Sequence, residues 1–116
     1  MRNCSIIFHT ASPFKLEIKD PVKELINPAL EGTKNVFASA DKTDSVKKIV
    51  LTSSVAAMYT DASECKNLIN DEITELIWNK TATIKYQPYS YSKTLAEKEA
   101  WSLHKKQSKW ELVVIN

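Results

Sequence analysis

At 116 residues the chain has room for one small domain and little for a second. Apolar residues make up 43% and charged residues 26%, which permits a buried core and excludes wholesale disorder. The formal charge of +2 is thinly spread, and the pairs Lys47-Lys48 and Lys105-Lys106 fall short of the basic tract of a nucleic-acid binder.

The first apolar run, SIIFHTA (5–11), does not alternate with polar residues and suits a strand buried on both faces, the habit of parallel sheets. It contains His9, expected as a packed or hydrogen-bonded strand residue. It ends in HTASP (9–13), either a plain Ser-Pro turn or the wall of a cofactor cleft formed by Thr10, Ala11 and Ser12. A helix is predicted next. Asp20 can cap it and Pro21 suits its first position. From Val22 to Ala40, apolar residues including Leu25, Ala29, Val36 and Phe37 recur at three- and four-residue spacing. Pro28 removes a bond to the carbonyl of Glu24, so a kink or a break is expected there. The second run, KKIVLTSS (47–54), predicts another strand, with Thr52, Ser53 and Ser54 at its carboxyl end, where open α/β sheets bind ligands. Those hydroxyls also suit an ordinary strand-to-loop turn.

A polar loop spans about 60–87 and a helix runs from about Tyr89 to Lys106, with Leu95, Ala96, Ala100 and Leu103 available for packing. The last run, WELVVIN (110–116), predicts the third strand. Trp101 and Trp110 are expected to be structural, whereas Trp78 in the loop is available to a substrate. The order β-α-β-α-β makes two successive βαβ units of an α/β fold, a partial, Rossmann-like doubly wound parallel sheet. Right-handed crossovers advancing in one direction put both helices on one side, leaving the opposite face bare and the first strand with a free edge. An apolar face of that kind implies a missing part of the domain, a partner, or self-association.

Cys4 and Cys65 are too few for a disulfide framework, and with His9 and His104 isolated no metal-ligand spacing arises. With no apolar run of membrane-spanning length and no signal-peptide layout, a soluble, cytoplasmic protein is expected. The single glycine, Gly32, stands where average usage of about 7% would give roughly eight. These residues therefore contain no glycine-rich loop to cradle a pyrophosphate.

In QPYSYSK (87–93), helical geometry stacks Tyr89 above Lys93 and turns Tyr91 away. An ammonium beside a phenol favours the phenolate, and a phenol so tuned can exchange a proton with a carbonyl or alcohol. Ser53 or Ser54 could hydrogen-bond the same carbonyl. Alone, each feature also fits an ordinary helix start or turn.

Taken together, FHTASPF (8–14), DPVKELINPALEGTKNV (20–36), VKKIVLTSSVAA (46–57), EITELIWN (72–79), PYSYSKTLAEKEAW (88–101) and WELVVIN (110–116) resemble the extended short-chain dehydrogenase/reductase family. The likeness is greatest to its dihydroflavonol reductase and cinnamoyl-CoA reductase branch. The resemblance implies hydride transfer between NADP(H), with NAD(H) as the alternative, and a small carbonyl/alcohol substrate. It implies Tyr89 as acid/base, Lys93 as its tuning partner and ribose ligand, and Ser54, or its neighbour Ser53, as the carbonyl-orienting hydroxyl. Thr10, Ala11, Ser12, Thr52 and Ser53 would lie along the cofactor. PYSYSK departs from the NWYCYGK signature of authentic cinnamoyl-CoA reductases, which leaves the substrate open. Residues 1–116 are expected to be one partial nucleotide-binding domain, strands four to six of the family's sheet. The glycine-rich βαβ part and the substrate-binding part would be lacking, and activity weak or absent. The rival expectation is a non-catalytic module that docks or self-associates through its bare face.

Overall fold

The computed structural model describes residues 1–15, 17–67 and 72–116. Strand β1 (Ile6–His9), β2 (Lys48–Thr52) and β3 (Glu111–Ile115) form a parallel sheet in the order β1-β2-β3. The register aligns Phe8 with Val50 and Val113, and His9 with Leu51 and Val114. Helices α1 (Asn27–Asp41) and α2 (Pro88–His104) make the two crossovers. The molecule measures 44 × 39 × 20 Å, and the short dimension matches one sheet and one helical layer about 10 Å apart.

The helices pack on each other and on one side of the sheet, as the crossover argument requires. Phe37 and Ala40 of α1 and Ala100 of α2 close over Ile49, Leu51 and Leu112, with Val46 and Trp110 completing the core. Phe37 and Trp110 meet edge to face at 5.2 Å, and the Trp110 indole donates to Asp41 at 2.7 Å. On the other side, Ile6, Phe8, Val113 and Ile115 face outward, Phe8 being 71% exposed. The Lys48–Glu111 ion pair, 3.2 Å, borders this bare face.

The start of α1 differs from the expected kink or break. Residues Val22–Ile26 form a π-helical stretch in which the Asn27 N–H reaches the Val22 carbonyl, five residues back. That widened turn absorbs the donor missing at Pro28, and the helical path continues without a break. Asp20 caps as expected, its Oδ1 accepting from the N–H groups of Val22 and Lys23, each at 3.1 Å. Glu24 answers by accepting from the Asp20 and Lys19 N–H groups and from the Lys15 ammonium.

The polar segment after β2 is better organised than its composition suggests. Two short 3₁₀ turns, Val55–Ala57 and Ala62–Asn67, follow the strand. Buried Asn79 pins this region: its amide donates to the Ala56 carbonyl and to Thr60, and its Oδ1 accepts from the N–H groups of Thr81 and Ala82. Among the described residues, no helix is long and apolar enough to cross a membrane.

Candidate active site

The carboxyl ends of β1 and β2 meet the amino-terminal turn of α2. Gln87 adopts a left-handed conformation (φ 53°), and Pro88 starts the helix behind it. Tyr89 and Lys93 then lie one turn apart. Tyr89 is half-buried, and its ring meets Phe14 edge to face at 5.1 Å. Lys93 is only 5% exposed, and its ammonium donates to the Thr52 carbonyl at 3.2 Å. Tyr91, also half-buried, lies two residues along.

Burial holds the Lys93 ammonium below its ordinary pKa, and the nearby Glu97 carboxylate acts in the opposite direction. His9, buried as expected at the end of β1, is held below its ordinary value, first by burial and then by the Lys93 charge.

The neighbouring serines diverge. Ser53 is buried, and its hydroxyl donates a hydrogen bond to Glu97 of α2. Ser54 lies in extended backbone (φ −165°), and its Oγ accepts from the Ala56 N–H at 3.2 Å, capping the following turn. Strand alternation explains the split, because successive side chains leave opposite faces. Thr52 is exposed, and its carbonyl, not its hydroxyl, meets Lys93.

Thr10 and Ala11 are exposed beyond β1. Among the described residues the Ser12 Oγ is enclosed without a hydrogen-bond partner. It borders a groove formed with His9 and Ala11 on one side and Pro28, Gly32 and Asn35 of α1 on the other. Thus residues singled out from sequence form two clusters, Tyr89-Lys93-Thr52 and Thr10-Ala11-Ser12, while Ser53 and Ser54 are engaged with Glu97 and the Ala56 N–H. Phe14 reaches back from the second cluster to the first.

Sequence reasoning gave no individual role to Phe14, Asn79 or Glu97. Glu97 left a signal: a carboxylate four residues after Lys93 falls on the helix face that already carries the tyrosine and the lysine. Nothing in the local pattern around Phe14 announces its contact.

Residues 1–116 match the male sterility protein family of NAD-binding domains. A cinnamoyl-CoA reductase of Medicago truncatula is 42% identical over 120 residues, covering 100% of this chain and 35% of the relative. An anthocyanidin reductase of Vitis vinifera is 37% identical over 100 residues, covering 84% of this chain and 30% of the relative. In the crystal structure of the yeast methylglyoxal/isovaleraldehyde reductase complexed with NADPH, the matching part has a TM-score of 0.83 and 36% identity, covering 99% of this chain and 36% of that one. The chain spans about a third of the length of the curated relatives it matches. With its parallel β-α-β-α-β order, its Rossmann-fold neighbours and these relatives, the chain belongs to the extended short-chain dehydrogenase/reductases, in the dihydroflavonol reductase and cinnamoyl-CoA reductase branch.

Proposed function

We propose that these residues carry the acid/base part of an NADP(H)-dependent carbonyl reductase site. Tyr89 is the proton donor, Lys93 its electrostatic partner and Ser54 the hydroxyl that orients the substrate carbonyl. The observation that carries this reading is a buried lysine one turn from Tyr89, fastened to the carbonyl that ends β2. An ammonium in so dry a position stabilises developing phenolate charge far better than it would in water. The engagement of Ser53 by Glu97 supports Ser54 as the hydroxyl left for substrate.

In the reducing direction, the Tyr89 phenol gives its proton to the carbonyl oxygen while Ser54 donates a hydrogen bond to it. Lys93 holds the charge left on Tyr89. The reduced nicotinamide, when bound, supplies the hydride. The unpartnered Ser12 hydroxyl, with exposed Thr10 and Ala11, fits the wall of a polar ligand, and the Thr52 edge fits the same cleft. NADP(H) is favoured over NAD(H) because the yeast relative is NADPH-dependent and its structure contains NADPH. The substrate is a small carbonyl/alcohol pair.

We further infer that the glycine-rich pyrophosphate turn and the substrate segments are supplied from outside residues 1–116. By themselves these residues then bind NADPH weakly and turn over negligibly. Saturable micromolar NADPH binding in calorimetry, with turnover abolished by Tyr89→Phe, would overturn that inference. Free thiols at Cys4 and Cys65 accord with a reducing, cytoplasmic setting. The acid/base roles are tested by grafting this segment in place of its counterpart in the yeast methylglyoxal reductase. There Tyr89→Phe is expected to cut kcat by roughly 10²–10⁴-fold. An unchanged kcat would sink the assignment.

The outward-facing Phe8 supports a second reading, a non-catalytic module that docks or self-associates through the bare face. A well-folded monomer in sedimentation that binds no apolar dye would exclude it.

A further inference from the structure

Helix α2 carries more than the tyrosine and lysine on its inner face. Glu97 follows Lys93 by one turn, and Trp101 follows Glu97 by another, so Tyr89, Lys93, Glu97 and Trp101 form one ladder of i, i+4 neighbours. Glu97 is 6% exposed. Its Oε2 accepts from the Ser53 hydroxyl at the end of β2 and from the Asn116 amide just past β3, the latter at 3.1 Å. Its Oε1 accepts from the Trp101 indole at 3.4 Å.

These three donors satisfy the carboxylate's hydrogen bonds, but none of them is charged. Burying an ion without a counter-charge is costly. Lys93 has the matching deficit, because its ammonium is buried and bound to a neutral carbonyl.

We propose that Glu97 is a positioning residue for the Tyr89–Lys93 pair: its carboxylate ties the carboxyl ends of β2 and β3 to α2 and stands as the counter-charge to the Lys93 ammonium. The proposal rests on Tyr89 and Lys93 being the acid/base pair argued above. It assigns the two serines complementary tasks. Ser53 anchors the strand end to the helix through Glu97, which leaves Ser54 as the hydroxyl turned away from that anchor. Two titratable side chains bear on the ammonium, Glu97 from α2 and His9 from β1, and Tyr89 lies one helical turn away. His9 is itself disfavoured from charging by burial and by Lys93. Glu97 acts on Lys93 against the pull of burial.

The test uses the full chain labelled with ¹⁵N-lysine and ¹³C-glutamate, and follows the Lys93 Nζ resonance by NMR as pH is varied. Glu97→Gln is expected to move the Lys93 deprotonation midpoint to lower pH. Glu97→Asp, which keeps the charge, should return it toward that of the unsubstituted chain. A folded Glu97→Gln chain with an unchanged midpoint would show a carboxylate that only stitches strands to helix, and would overturn the proposal. Should Glu97→Gln not fold, the unsubstituted chain decides. There the labelled Glu97 carboxyl carbon must shift as Lys93 deprotonates, and a flat response overturns the proposal. Because the readout needs no turnover, it stands apart from the grafted Tyr89→Phe assay. Failure of the acid/base reading shows in kcat, and failure of the Glu97 proposal shows in the Lys93 midpoint.

Discussion

The same three strands present alternate residues to two different surroundings. Beneath the helices, Ile49, Leu51 and Leu112 are buried among Phe37, Ala40, Ala100 and Trp110. On the opposite side Phe8, Val113 and Ile115 stand largely in solvent, Ile115 at 55% exposure. Nothing in their side-chain chemistry separates the two sets. What separates them is cover, which the helices of this chain give to one face only. Of the buried polar groups, His9, Ser53, Lys93 and Glu97 gather on the covered side and at its upper edge. The site proposed for the chemistry thus lies where water has already been excluded.

Substitutions should reveal that asymmetry, most strongly under the helices. Phe37→Ala empties the centre of the core and is expected to cost about 3–5 kcal/mol in urea denaturation. If it costs no more than a bare-face substitution, the two faces are energetically alike and the comparison fails. Ser53→Ala keeps the apolar contacts but takes a donor from buried Glu97, for an expected loss of about 1–3 kcal/mol.

His9 gives a smaller, pH-dependent effect on the covered side. Its pKa in the folded protein lies below the ordinary value of 6.5, so the fold favours the neutral ring. As pH falls through about 6.5, the unfolded chain takes up this proton first and stability declines until the folded ring also protonates. His9→Asn should flatten the denaturation midpoint in that window. The depressed carboxylates Asp20, Glu24 and Asp44 act only below about pH 4.5, which keeps the two effects apart. An unaltered slope in His9→Asn would mean that the ring titrates as freely as on the bare side. Phe8→Ser should be nearly silent, within about 0.5 kcal/mol. Its visible effect should be weaker apolar dye binding.

Much of this architecture was legible in the sequence because it is carried by short-range pattern. The three Ile- and Val-rich runs became the strands, the stripe from Leu25 to Ala40 became the buried side of the widened turn and α1, and Tyr89 and Lys93 took neighbouring turns of α2. What was not legible depends on contacts across the chain. Pro28 announced that a hydrogen bond would be lost, but whether the helix kinks, breaks or widens is decided by packing on both sides. Local pattern does not separate Ser53 from Ser54; their different surroundings come from Glu97, 44 residues from Ser53, which holds one of them. The polar segment around Asn79 reads as loop by composition. Its order comes from one side-chain amide whose acceptors, the Ala56 carbonyl and the Thr60 hydroxyl, lie 23 and 19 residues earlier in the chain.

The widened turn at Val22–Ile26 makes the length of this segment matter. Glu24, inside it, holds the incoming chain through Lys15, Lys19 and Asp20, and the residue before Lys15 is Phe14, which touches Tyr89. Each residue of an α-helix advances the path by about 100°. Removing one residue from the wide turn would therefore swing Glu24 and everything it tethers around the axis of α1, while the core side of the helix stayed in place. The turn acts as a spacer, and its count of residues sets where the arm bearing Phe14 arrives. Over evolutionary time, one-residue insertions and deletions should be tolerated in the exposed stretches around Leu76 far more readily than here.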